Sequence, residues 1–300
     1  MVGRLGRIAV AVGACVVATT SCSSGGSAEA SASGSAAAGP SAAEESAGTG
    51  SAGTYLALGD SVPFGFRGSA VAEFRDEDNF VGYPELVAEE LGLEVLNASC
   101  PGETTASFLD AAAQSNGCSN TLRSTFGYRT AYPLHVQYES LDQSQLDLAV
   151  QTLAENEDVE LVTLQIGAND AFLCQQSTPS RCADPADLQA LAQNVQANVG
   201  TILSALREEA GYDGQIVVVT YYALDYADAF GRATEALGGG IARIAAANGA
   251  DVADGFEAFR ARAGAAGGDS VAAGLVLPND VHPSEEGQQL LAEAVLAVVD

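Results

Sequence analysis

Three hundred residues, 47% hydrophobic and 6% aromatic, are enough to bury one good core, and a single catalytic domain with a tail is expected. The 39 acidic residues face 12 basic ones, all of them arginine, for a net charge of −27. Nucleic acid is excluded as a partner, because neutralising phosphates takes many Lys and Arg, and the charge reads as a solvated acidic surface.

In chain order, Arg4 and Arg7 precede an 11-residue apolar run over residues 8–18, too short for a comfortable bilayer span, which reads as an export signal. The run ends in Thr19-Thr20-Ser21-Cys22, which resembles a bacterial lipoprotein lipobox, so residues 1–22 are expected to be a signal peptide and Cys22 to carry lipid. Thr19 stands where that motif usually has an aliphatic residue, and Ala28-Glu29-Ala30 offers an ordinary cleavage site instead. The expected location is extracellular, lipid-anchored to a bacterial cell membrane at Cys22, with plain secretion as the alternative. Residues 23–53 are almost entirely Ser, Ala, Gly and Glu without an apolar period, and make a flexible tether. Setting aside Cys15 and Cys22 leaves Cys100, Cys118, Cys174 and Cys182. Of three connectivities, the pairs near in sequence, Cys100 with Cys118 and Cys174 with Cys182, would each staple one loop. No CxxC spacing suggests zinc, and Asp76-Glu77-Asp78 lacks the spacing of a calcium loop, so no metal is expected.

From residue 54 the pattern alternates. Strands are predicted over 54–58, 93–96, 161–166 and 216–220, with a weak fifth at 251–253; helices are predicted over 83–91, 185–209, 230–248 and 285–299. Leu188, Leu191, Val195 and Val199 form the apolar stripe of the second helix. Interleaved strands and helices imply a parallel sheet covered on both faces, a three-layer α/β/α domain over residues 54–300. Ligands of such sheets sit beyond the carboxyl ends of the strands, and the polar motifs fall there.

Leu58-Gly59-Asp60-Ser61 follows the first strand, Asn97-Ala98-Ser99-Cys100-Pro101-Gly102-Glu103-Thr104-Thr105 the second, and Gly167-Ala168-Asn169-Asp170 the third; Asn279-Asp280-Val281-His282-Pro283 precedes the last helix. Each alone is a plausible turn. As an ordered set they resemble the four sequence blocks of the SGNH (GDSL-type) hydrolases, with Ser61, Gly102, Asn169 and His282 at the four eponymous positions and Val62 in place of the Leu of GDSL. The resemblance spans the whole of residues 54–300 and implies a flavodoxin-like sheet of about five strands. It implies Ser61 as nucleophile, His282 as base, and an oxyanion hole of the Ser61 and Gly102 backbone N–H groups with the Asn169 amide.

The chemistry asks for the same parts. A serine hydroxyl needs a neighbouring base, and imidazole titrates in the useful range. Only two histidines exist; His135 belongs to no motif and reads as structural. The acid member departs from the family: Asn279 occupies the usual position three before the histidine, and Asp280 lies two before it. Asp280 is assigned that role, with a backbone carbonyl near 279 as the alternative. Asp60 and Asp170 are expected to brace their own loops, while Tyr221 and Tyr222 are candidates to line the cleft.

The predicted activity is hydrolysis of small-acyl or lipid carboxylic esters through an acyl-enzyme, by a monomer without cofactor, touching the membrane only through its anchor. A carbohydrate acetylesterase or an acyltransferase would show the same blocks, and a non-catalytic envelope glycan-binding module is the rival of another class. Absence of G-x-S-x-G after a strand disfavours an ordinary α/β-hydrolase.

Overall fold

A computed structural model of the protein describes residues 53–68, 76, 79–131 and 138–299. Residues 1–52, on which the signal-peptide and Cys22 readings and all but the last residue of the tether reading fall, lie outside the described residues, as do His135 and the pair Glu77-Asp78. Five parallel strands form one sheet: β1 (Thr54–Gly59), β2 (Glu94–Asn97), β3 (Val159–Gln165), β4 (Gln215–Val219) and β5 (Asp251–Ala253), in the order β2-β1-β3-β4-β5. This is the flavodoxin-like order, and its direction reverses between β1 and β3. The helices are α1 (Tyr83–Leu91), α2 (Thr105–Leu109), α3 (Tyr128–Ala131), α4 (Gln145–Glu155), α5 (Ala168–Ser177), α6 (Pro185–Glu208), α7 (Ala229–Ala247), α8 (Gly255–Ala263) and α9 (Glu285–Leu296). None of the described helices is long and apolar enough to cross a membrane.

The period of two along a strand builds the three layers. Leu56 and Leu58 of β1 join Val162, Leu164, Ile216 and Val218 on one face, covered by Leu148 and Leu153 of α4, Val195 to Leu206 of α6 and Ile241 of α7. Tyr55 and Ala57 point to the other face with Leu161, Val217 and Val219, under Tyr83 and Val87 of α1, Phe259 of α8 and Leu291 and Val295 of α9. At roughly 1.5–3 kcal/mol per fully buried aliphatic or aromatic side chain, these two layers supply the main drive to fold.

Some expectations shift. The apolar stripe of α6 begins a turn and a half late: Leu188 is exposed and Leu191 only partly buried, while Val195, Val199, Ile202, Leu203 and Leu206 are fully buried. Of its first turns only Leu191 reaches the edge of the core, and Leu188 stays in solvent. Four helices between residues 105 and 177 escaped the sequence reading. Among them α4 carries a capping box, Ser144 with Asp147, and seats Leu148 and Ala149 on the sheet.

Candidate active site

The site lies at the carboxyl end of the sheet, where the loops after β1 and β3 diverge. β1 ends at Gly59 with φ +139, and a Cβ there would fall on the Gln165 carbonyl oxygen, so only glycine lets β1 turn so close to β3. Gln145 of α4 grips the same residue with its amide, accepting from Gly59 N–H at 2.6 Å and donating to its carbonyl at 3.0 Å. The chain then curls tightly, with Phe66 N–H donating to the Ser61 carbonyl at 2.9 Å, which holds the Ser61 hydroxyl at the sheet edge.

His282 arrives from a turn closed by Leu277 N–H donating to its carbonyl at 3.0 Å. Its Nε2 lies 2.9 Å from Ser61 Oγ, and its Nδ1 lies 2.6 Å from Asp280 Oδ1. The carboxylate, and no carbonyl, therefore occupies the third place. Asn279 explains how a spacing of two suffices: its φ of +61 tightens the turn and swings Asp280 under the ring. Asp280 also accepts from Val281 N–H at 2.7 Å and, on its other oxygen, from Gly68 N–H at 3.1 Å. The hydrogen bond from His282 holds its carboxyl well below the usual range. Gln288 of α9 locks this loop to the serine turn, donating to the Val62 carbonyl at 3.0 Å and accepting from Tyr83 N–H at 2.9 Å.

Gly102 has φ +85, and a Cβ there would lie 2.7 Å from the Gly117 backbone, so glycine is required by conformation and by close approach. Among the described residues, neither the Ser61 nor the Gly102 backbone N–H meets an acceptor, which leaves both donors available. Asn169 was read as part of a loop; it sits in the first turn of α5, whose positive dipole end faces the site. Its Nδ2 donates to Asp60 Oδ2 at 3.2 Å, and its Oδ1 accepts from Asn116 Nδ2 at 2.9 Å. One N–H of the amide remains for another acceptor. Both disulfides pair as expected, Cys100 with Cys118 and Cys174 with Cys182. Glu103 clusters with Cys100 and Cys118, but with the two sulfurs bonded to each other neither is a thiolate ligand.

The aspartates reach further than expected. Asp60 accepts from Val62 N–H at 3.0 Å within its own turn, yet also from Asn169 and from the Tyr221 hydroxyl. Asp170 braces a different segment, accepting from Thr105 N–H at 2.9 Å and from its hydroxyl at 2.6 Å. Tyr221 and Tyr222 do not line a cleft: both are buried, and Tyr222 donates to the Val281 carbonyl at 2.6 Å. Phe66 is the aromatic residue at the imidazole, with ring centroids 4.9 Å apart. Tyr221 was marked by its place after the fourth strand but serves as a donor to Asp60, and nothing in the local sequence around Gln145 or Asn116 marks them, because each acts across the fold.

Burial raises the carboxyls of Asp60, Glu85, Glu103 and Asp170 around this site. Asp60 is pushed up to about 6 against the Tyr221 hydrogen bond, Glu103 to about 7 against the Ser107 hydrogen bond, and Glu85 to about 7 against the Asn97 hydrogen bond. Each keeps its proton longer in the folded chain, so as pH rises the unfolded chain ionises first and stability falls. The window runs from about pH 4, where the unfolded groups ionise, to about pH 7. The melting temperature by calorimetry should be higher at pH 5 than at pH 8, and Glu103→Gln, which cannot ionise, should flatten that slope. A slope untouched by the substitution would show that Glu103 is not one of the groups that set it.

A serine hydroxyl, an imidazole and a carboxylate in hydrogen-bonded series at the switch point of a parallel sheet make the arrangement of a serine hydrolase. Within that class the chain belongs to the GDSL-like lipase/acylhydrolase family, whose profile matches residues 57–290. A search among curated protein sequences finds no significant match. Among solved structures, an acetylxylan esterase from Geobacillus stearothermophilus is similar at 18% identity and TM-score 0.51, over 82% of this chain and 93% of that one. A phospholipase A1 from Streptomyces albidoflavus NA297 is similar at 20% identity and TM-score 0.51, over 83% of this chain and 100% of that one. A lipase from a goat rumen metagenome is similar at 16% identity and TM-score 0.51, over 81% and 96%. These likenesses share the fold.

Proposed function

We propose that the protein is a carboxylic ester hydrolase acting through an acyl-enzyme on Ser61. The observation that carries this is the series Ser61 Oγ, His282 Nε2 at 2.9 Å, and His282 Nδ1 to Asp280 at 2.6 Å. His282 takes the Ser61 proton as the oxygen attacks the ester carbonyl, then delivers it to the leaving alcohol; a water enters by the same route reversed and releases the acid. Asp280 holds the imidazole tautomer with Nδ1 protonated and stabilises the imidazolium. The Ser61 and Gly102 backbone N–H groups and the free N–H of Asn169 receive the oxyanion.

The fold neighbours span an acetylxylan esterase and a phospholipase A1, so the fold leaves the acyl and alcohol parts of the substrate open. The Phe66 ring beside His282 supports a short or lipid acyl group packed against an apolar wall. Turnover of a p-nitrophenyl ester series from acetyl to palmitoyl is expected, with a maximum within the series. Activity confined to acetylated sugars would move the reading to a carbohydrate acetylesterase, and inertness to every ester would remove it.

A further inference from the structure

Asn169 can serve an oxyanion only in one of its two amide orientations. Flipped, it would present its carbonyl oxygen to a developing negative charge, and the shape of the side chain does not prevent this. Two contacts decide. On the nitrogen side Asp60 accepts at 3.2 Å, a long bond to a carboxyl that burial raises to about 6 and that loses acceptor character when protonated. On the oxygen side Asn116 donates at 2.9 Å, and an amide N–H donates at any pH.

Asn116 is itself fixed at three points. Gln176 Nε2 donates to its Oδ1 at 3.0 Å, which orients its amide so that Nδ2 faces Asn169. Its backbone N–H donates to the Gly102 carbonyl at 2.8 Å. Two residues on, Cys118 is bonded to Cys100. Asn169 and Gln176 lie seven residues apart on α5, two turns along one face, so the loop bearing Asn116 runs against that face. The same residue thus touches both Gly102 and Asn169, the two oxyanion donors outside the serine turn.

Resting on the hydrolase reading above, we propose that Asn116 is a positioning residue, which sets the amide orientation of Asn169 and fixes its place relative to Gly102. It touches no substrate and acts through Asn169 alone.

The test is a double-mutant cycle. Asn116→Asp keeps the shape, the backbone bond and an acceptor for Gln176 but turns the donor to Asn169 into a charged acceptor; Asn116→Leu removes the donor without adding charge and gives up the acceptor for Gln176 as well. Each should lower kcat about 10- to 100-fold with KM nearly unchanged, within the loss of a whole oxyanion donor, and Asn169→Ala sets the ceiling. The melting temperatures should stay near that of the parent. In the Asn169→Ala background both substitutions at 116 should cost almost nothing further, since the group they act through is gone. Full turnover in Asn116→Asp and Asn116→Leu would overturn the proposal. So would an equal loss with and without Asn169, which would mean charge repulsion or general loosening. Failure of the hydrolase reading looks different: Ser61→Ala would then turn over like the parent and Asn169→Ala would cost nothing.

Discussion

Ser61→Ala is expected to abolish ester hydrolysis while leaving the melting temperature unchanged. The hydroxyl donates nothing to the fold beyond its contact with His282, and the turn around it is held by backbone bonds and by Gln145 and Gln288. Removing it should lower kcat by about 10⁶-fold, as loss of the nucleophile does in serine hydrolases whose catalytic groups act as a unit. Labelling by a fluorophosphonate should vanish in parallel. Turnover surviving in the alanine variant would end the serine mechanism.

The second large effect concerns Asp280, which accepts on both oxygens: Oδ1 from His282 Nδ1 at 2.6 Å, Oδ2 from Gly68 N–H at 3.1 Å. In Asp280→Asn one oxygen becomes an NH₂ group, and either orientation sets donor against donor. Facing His282 it forces the wrong tautomer; facing Gly68 it pushes the loop away. Turnover should fall on the order of 10⁴-fold, the cost of the equivalent change in serine proteases, and approach that of His282→Ala. Asn279→Gly is the control, because Asn279 sits at φ +61, where alanine would strain the turn and glycine would not. It removes the side chain at the family's usual spacing and should lose little. Retained turnover in Asp280→Asn would reduce the enzyme to a Ser61 and His282 dyad.

What the sequence could be made to tell follows from the range of each interaction. β1 and β4 carry unbroken apolar runs and β3 a largely apolar one interrupted by Glu160 and Thr163, since a parallel strand is buried on both faces, and such runs are visible locally. Three of the motifs were visible because a strand end and a turn stand side by side in the chain, and the fourth because a turn stands directly before a helix. α5 was not, because it buries only Asn169 and so has no apolar period to read. The Asp60 network was invisible for a different reason: its partners Asn169 and Tyr221 lie 109 and 161 residues away, and nothing near Asp60 announces them. The spacing of Asp280 looked anomalous until the left-handed Asn279 supplied the geometry that makes a spacing of two sufficient.

Ser61 and His282 stand 221 residues apart, while the disulfides join cysteines only 18 and 8 apart. During synthesis the two small rings can close as soon as their own segments emerge. The nucleophile cannot meet its base until those 221 residues have been made, and Gln288 of α9, the helix after His282, then ties that end of the domain to the serine turn. The growing polypeptide is therefore chemically silent over the whole of that interval. Reactivity switches on only when α9 docks, so hydrolytic competence reports that the domain has closed from Ser61 through to that helix.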